Sequence, residues 1–167
     1  MADFVSNFTN RLDAKGRVSV PASFRAALSR EGYEGVYCFP SAHLPAVDAG
    51  GNALLGEIQK RVDSFTTLTP QHDFVSMALF GVSENLKLDS DGRVILPETL
   101  RLHAGITDQV TFVGQGYKFQ MWNPERFAEH RAEALKRALE VLSGAPQPAA
   151  ASAGASTPSG TPTGSTG

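Results

Sequence analysis

Basic side chains are concentrated in one short segment of a chain that is slightly acidic overall. The 167 residues carry a formal net charge of -2, so binding to nucleic acid through bulk charge is excluded and any such binding needs a local patch. Residues 11–25, RLDAKGRVSVPASFR, hold one acid, Asp13, and four cations, Arg11, Lys15, Arg17 and Arg25. Such cations bind phosphate, and the fork of an arginine guanidinium also reaches guanine edges in a major groove.

The same segment recurs 76 positions later as KLDSDGRVILPETLR, residues 87–101. Seven of the fifteen positions are identical, where chance would supply about one. In the second segment three cations are balanced by three acids, so its net charge is zero against +3 for the first. The chain therefore consists of two copies of one module, and only the first copy is locally basic.

Each copy contains Asp-x-x-Gly, which is typical of a tight turn. Aspartate bonds its own backbone in such a turn and glycine supplies a positive φ, so Asp13, Gly16, Asp89 and Gly92 are predicted to be turn residues. Two interpretations of Arg17 stay open. It either forms an ion pair with Asp13 or an acidic neighbour, or it contacts DNA from a two-stranded ribbon that fits the major groove.

The elements that must position these turns follow one order in both copies. A strand leads into the turn, a return strand ends at a proline, and a helix of about two turns and a second pair of strands follow. The first copy is predicted to comprise Val5 to Leu12, a return strand ending at Pro21, Ala22 to Ser29, Val36 to Phe39, and His43 to Val47. The second is predicted to comprise Val82 to Leu88, a return strand ending at Pro97, Glu98 to Ala104, Val110 to Val113, and Tyr117 to Trp122. One copy is too small to be stable alone, so the two hairpins are expected to interleave as an internal pseudo-dimer.

Helical patterns separate and follow the copies. Ala53 to Phe65 and Gln71 to Phe80 are predicted helices, the second with Phe74, Met77, Ala78 and Phe80 facing inward. A third helix runs to Leu142 and carries Phe127, Leu135, Leu139 and Leu142 on one side. The predicted organisation is a first module (1–52), connecting helices (53–80), a second module (81–124), a C-terminal helix (125–143) and a disordered tail (144–167).

Nothing in the chain indicates catalysis, a cofactor or a metal. The four histidines, His43, His72, His103 and His130, are scattered, and the single cysteine, Cys38, lies in an apolar strand. One cysteine favours a reducing compartment, and no segment has the pattern of a signal peptide or a membrane span. We therefore expect a cytoplasmic protein that binds neither membrane nor small-molecule substrate.

The two motifs LDAKGRVSVPASFR and LDSDGRVILPETLR resemble the tandem Asp-x-x-x-Arg signatures of the MraZ family. Members of that family are transcriptional regulators built from two AbrB-like swapped-hairpin modules, which implies an α+β, mainly β fold. The flanks agree with the family too, at Phe8-Thr9-Asn10, His103-Ala104-Gly105-Ile106 and Lys118-Phe119-Gln120-Met121-Trp122.

The resemblance implies a nucleoid-associated regulator, a repressor by expectation, of the division and cell-wall gene cluster that includes its own gene. It implies a ring-shaped homo-oligomer that binds direct repeats in double-stranded DNA through first-copy hairpins, without a cofactor. The implied DNA-binding residues are Lys15, Arg17, Arg11, Arg25 and Arg93. An antitoxin-like protein-interaction module, using the C-terminal helix, stays open as the alternative.

Overall fold

The computed structural model describes residues 3–144 of the chain, so the predicted tail lies outside the described residues except for Gly144. The fold is α+β with mostly antiparallel strands, as predicted. The strands are β1 (Asn7–Arg11), β2 (Arg17–Ser19), β3 (Val36–Pro40), β4 (Ala46–Gly50), β5 (Glu84–Leu86), β6 (Arg93–Ile95), β7 (Gln109–Gly114) and β8 (Phe119–Trp122). The helices are α1 (Ala22–Arg30), α2 (Asn52–Asp63), α3 (Pro70–Ser76), α4 (Glu98–Ala104) and α5 (Pro124–Leu142), and α3 continues into a π-helical turn, Met77–Gly81.

The chain divides into two units. Residues 3–131 belong to a compact unit that holds every strand and α1 to α4. The second unit begins at Ala132, within α5. In its described part, Leu135, Leu139 and Leu142 are exposed at four- and three-residue spacing, so one side of the helix presents an apolar stripe.

Strands of the two copies are combined in both sheets. The larger sheet has the order β1-β7-β8-β4-β3-β5, and the smaller one pairs β2 with β6. Strands that are equivalent in sequence occupy equivalent places: β1 and β5 form the two edges, and β8 and β4 pair at the centre. The return strands of the two turns pair with each other rather than each with its own leading strand, to which β2 has only the Leu12–Val18 bridge.

Two apolar clusters lie on opposite faces of the large sheet, because side chains alternate along a strand. On β3, Val36 and Cys38 join the cluster that also holds the buried residues of α1 and α4. Tyr37 and Phe39 point to the other face and pack with the buried side of α2. The helices that follow the two return strands are thereby fixed on the same side as the β2–β6 ribbon.

Local sequence signals explain where several helices begin and end. Pro21 and Pro97 precede the first residues of α1 and α4, and Gly105 ends α4 in the left-handed region at φ 64°. Thr69 caps α3 by accepting the amide of His72 at 3.3 Å. The predicted bounds of α4 agree with the structure at both ends.

Two local predictions were wrong. The strand expected over His43 to Val47 begins only at Ala46, because residues 42–45 form bends before the chain joins the sheet. The inward side of α3 and its π-helical turn runs through Val75, Leu79 and Phe80. Phe80 therefore packs inward as predicted, whereas Phe74 and Met77 are 72% and 62% exposed and Ala78 is exposed as well. A π-helical turn accommodates an extra residue, which an α-helical pattern in the sequence does not reveal.

Candidate nucleic-acid interface

The first turn, residues 13–17, is organised around the carboxylate of Asp13. Its Oδ1 accepts the backbone amides of Lys15 at 2.9 Å and Arg17 at 2.8 Å, and its Oδ2 accepts the Nε–H of Arg17 at 2.7 Å. The amide of Gly16 donates to the carbonyl of Asp13 at 3.0 Å, with Gly16 at φ 79°. Asp13 and Gly16 therefore form the turn, as the sequence predicts, and the Arg17 side chain is oriented by it.

The second turn, residues 89–93, repeats this arrangement and adds one contact. Oδ1 of Asp89 accepts the amides of Asp91 and Arg93, each at 2.9 Å, and Oδ2 accepts the Nε–H of Arg93 at 3.0 Å. The Nη2 of Arg93 also donates to Oδ2 of Asp91 at 3.2 Å. Position 91 is equivalent to Lys15, so Arg93 is held by two carboxylates where Arg17 is held by one.

The hydrogen bonds of both turns lower the pKa of their aspartates. For Asp13 the largest cause is the amide of Arg17, and for Asp89 it is the amide of Arg93. The guanidinium groups of the same two arginines lower the pKa further. Both carboxylates are thus ionised at neutral pH, and each turn carries one fixed negative charge beside its arginine.

Each turn is also bonded to the strand that follows the other turn. The carbonyl of Gly16 accepts the amide of Leu96 at 2.8 Å, and the carbonyl of Gly92 accepts the amide of Val20 at 3.0 Å. Between these bonds β2 and β6 pair antiparallel, with Val18 opposite Val94. Residues from both copies therefore fix the position of each turn.

This exchange moves the helix arginines away from the turns that they follow in sequence. Arg25 belongs to the same sequence segment as the first turn, but it lies over the second turn. Its Nε, Cζ and Cδ atoms are 2.6 to 2.8 Å from the position that a Cβ would occupy on Gly92. Arg101, its equivalent, lies near the first turn, with Cζ 4.0 Å from the same position on Gly16. Arg25 and Arg101 exchange places in this way because α1 and α4 follow the exchanged return strands.

The predicted DNA-binding residues thus fall into three places. Lys15 and Arg17 lie together at the first turn, and Arg93 and Arg25 lie together at the second. Arg11 is exposed at the end of β1, opposite Gln109 of β7, on the strand that leads into the first turn. Sequence reasoning missed Arg101. The signal that could have found it is the repeat itself, once the two hairpins are expected to interleave.

The ion pair that was one interpretation of Arg17 is present, and it leaves the other interpretation open. The pair uses the Nε of Arg17, whose side chain keeps 32% of its exposure. Within residues 3–144, no second carboxylate bonds this guanidinium as Asp91 bonds that of Arg93. The terminal nitrogens of Arg17 therefore have no protein acceptor in the described part of the chain.

In the part of the chain that the structure describes, no helix combines the length and apolar character needed to cross a bilayer. The same residues contain no group of three or more histidine, cysteine, aspartate or glutamate side chains placed to hold a metal ion.

The repeated turns, the exchanged strands and the single basic turn define an α+β protein made of two related halves. Residues 79–140 match a family model described as "MraZ protein, putative antitoxin-like". The match covers the second half, in which β5 to β8 and α4 lie.

Relatives that carry the name "Transcriptional regulator MraZ" match over most of the chain. The one from Xanthobacter autotrophicus is 52% identical over 141 residues, which is 84% of this chain and 90% of the relative. That from Beijerinckia indica is 54% identical, covering 84% and 86% of the two chains. That from Rickettsia bellii is 40% identical, covering 82% and 92%. The chain belongs to the MraZ family, as the resemblance of its two motifs predicted.

Proposed function

We propose that this protein is a transcriptional regulator that binds direct repeats of duplex DNA upstream of its own gene, within a division and cell-wall gene cluster. The observation that supports this most is the charge at the tips of the two turns, which is positive at Lys15 and negative at Asp91. The relatives' name supports regulation of transcription. The repeats and the gene cluster come from the family resemblance.

In the proposed interface the first turn enters the major groove. Lys15 binds a backbone phosphate, and the terminal nitrogens of Arg17 reach a guanine edge while Asp13 holds its Nε. The bidentate fork of arginine needs such orientation, because a guanidinium that rotates freely loses entropy when it binds. We propose Arg11, Arg25 and Arg93 as further DNA contacts that contribute less to the affinity.

The proposed scaffold is a pair of AbrB-like swapped-hairpin modules packed as an internal pseudo-dimer. The exchanged bonds from Leu96 to Gly16 and from Val20 to Gly92 support it, as does the place of equivalent strands in the large sheet. In this organisation residues 1–52 and 81–124 are the modules, 53–80 the connecting helices and 125–143 the C-terminal helix. The regulator is proposed to act in the cytoplasm, at the nucleoid.

We further propose that copies of the chain assemble into a ring, so that several first turns meet successive repeats. The exposed stripe of Leu135, Leu139 and Leu142 on α5 suits a contact with a neighbouring copy. Multiple weak contacts on one duplex would then combine, because each further turn binds at a high effective concentration.

A gel-shift titration of the wild-type protein tests the function. We expect the duplex from upstream of the gene to be shifted at lower protein concentration than a scrambled duplex of equal length and composition. Equal, weak shifts of both duplexes would contradict the proposal that the protein reads sequence.

The alternative function is an antitoxin-like module that binds another protein. It is favoured by the description of the matching family model and by the same exposed stripe on α5. A variant with Leu135, Leu139 and Leu142 changed to serine separates the two uses of the stripe. Smaller assemblies in analytical ultracentrifugation favour contact between copies, while unchanged assembly favours an outside partner.

A further inference from the structure

The first turn has a third cation from the other half of the chain. We propose that Arg101 of α4 completes a phosphate-binding site with Lys15 and Arg17, so that both copies build the surface that meets the DNA backbone. This inference rests on the proposed DNA-binding function and deepens it by adding a residue outside the basic segment 11–25.

The backbone fixes α4 beside the first turn. Leu96, at the end of the second return strand, donates its amide to the carbonyl of Gly16 at 2.8 Å. Pro97 then starts α4, and Arg101 follows one helical turn later, with its amide bonded to the carbonyl of Pro97 at 3.0 Å. The Cζ of Arg101 consequently lies 4.0 Å from where a Cβ on Gly16 would be.

The environment of Arg101 differs from that of Arg25, its equivalent. The Nε of Arg25 donates to the carbonyl of Val20 at 3.1 Å. The Nε of Arg101 is shielded from solvent, and no acceptor meets it within residues 3–144. An unpartnered Nε–H that is shielded from solvent is costly, and the attraction between the guanidinium and a nearby phosphate offsets that cost.

The charges at the two turns lead to the same assignment. The first turn itself holds Lys15, Arg17 and the carboxylate of Asp13, and Arg101 lies near it on α4, the helix that also carries Glu98. At the second turn Arg93 and Arg25 are matched by the carboxylates of two aspartates. Among residues 3–144, the first turn with α4 therefore carries more positive charge than the second turn with Arg25, and Arg101 supplies one of its three cations.

The salt dependence of DNA affinity measures this contribution. Fluorescence anisotropy on the upstream duplex would compare the full-length wild type with Arg101→Met, which keeps an unbranched apolar stem, and with Arg101→Lys, which keeps the charge. Arg25→Met is the matched control at the second turn. Arg101→Gln serves as a second neutral variant, and thermal unfolding of each protein reports whether it folds.

We expect the neutral Arg101 variants to bind on the order of tenfold more weakly and to lower the slope of log affinity against log salt by about one per bound subunit. Arg101→Lys should keep the wild-type slope, and Arg25→Met should lower it less. A merely structural role would reduce affinity without changing the slope.

Two results would overturn the inference. If neutral Arg101 variants keep the wild-type slope while Arg17→Ala loses affinity, Arg101 is no phosphate contact but the proposed function stands. If the wild type shows no salt-dependent binding to the upstream duplex, the proposed function fails as well.

Discussion

The Nε of Arg17 lies 2.7 Å from Oδ2 of Asp13 across the first turn. Both side chains keep about a third of their exposure, and exposed ion pairs add little stability. The contact instead fixes the direction of the guanidinium while its terminal nitrogens stay available. The equivalent pair, Arg93 with Asp89, lacks this freedom because Asp91 takes up a terminal nitrogen.

Acid should weaken the fold through the two turn aspartates. The pKa values of Asp13 and Asp89 are lowered below the ordinary value of 3.8 by bonds that exist only in the folded state. Their stabilisation is therefore present above that ordinary value and is lost as the pH falls through the lowered pKa values. In the double variant Asp13→Asn, Asp89→Asn the amide oxygen can still accept the turn amides, but the NH2 group replaces the oxygen that accepts the arginine Nε–H, so both the charge and that bond are lost.

Urea unfolding at several pH values checks this prediction. The stability difference between wild type and the double variant should be largest above about pH 5 and shrink as the pH falls through the lowered pKa values of the two aspartates. The same difference at both pH extremes would show that ionisation of these aspartates does not contribute to stability.

Reversing the charge at the tip of the first turn should make this turn resemble the second. Lys15→Asp gives Arg17 a second carboxylate, as Arg93 has, and it also removes a proposed phosphate contact. DNA affinity should therefore fall by at least tenfold, which is about the effect of one charged hydrogen bond. Lys60→Asp makes the same charge change on α2 and should alter affinity much less. The measurement is fluorescence anisotropy, and equal losses in the two variants would point to net charge alone.

The buried aromatic cluster around Phe24 should contribute strongly to stability. Phe24 of α1 is fully buried, with ring centroids 5.3 Å from Phe4 and 5.0 Å from Phe119. Phe24→Ala should cost about 3 to 5 kcal/mol of unfolding free energy, because it removes buried area and leaves a cavity. Leu102→Ala, at a 73% exposed position, should cost under about 0.5 kcal/mol. Urea unfolding curves measure both free energies. A loss of unfolding free energy below about 1 kcal/mol for Phe24→Ala would contradict the packing described.

The single thiol should react only when the protein unfolds. Burial within β3, together with the nearby charge of Glu84, raises the pKa of Cys38 to about 12. At pH 8 the thiol is therefore protonated and shielded, whereas only a thiolate attacks an alkylating reagent. Iodoacetamide labelling followed by mass spectrometry should proceed at the rate of unfolding and accelerate in urea. Labelling of the native protein as fast as that of a free thiol would be the contrary result.

The repeat and its turns could be predicted from sequence because their signals are local. The Asp and Gly residues of each turn, and the prolines before α1 and α4, act within a few positions of the chain. The bond between Asp13 and Arg17 was one of two open interpretations. Its geometry is compatible with both of them.

The pairing partners could not be read in the same way. β2 could have paired with β1 or with β6, and each choice buries Val18, so periodicity does not separate them. The places of Arg25 and Arg101 follow from that choice, so their positions beside the opposite turns could not be read from the segment in which each lies. The inward face of α3 was missed for another reason, namely the π-helical turn after Ser76.

Anisotropy titrations of Arg17→Ala and Arg93→Ala against the upstream and scrambled duplexes test most directly whether the first turn reads DNA. Arg17→Ala should lose about 1 to 3 kcal/mol of binding free energy on the upstream duplex, and with it most of the preference over the scrambled one. Arg93→Ala, which removes an arginine already held by Asp89 and Asp91, should keep most of that preference. Wild-type affinity and preference in Arg17→Ala, with the protein folded, would contradict the central claim.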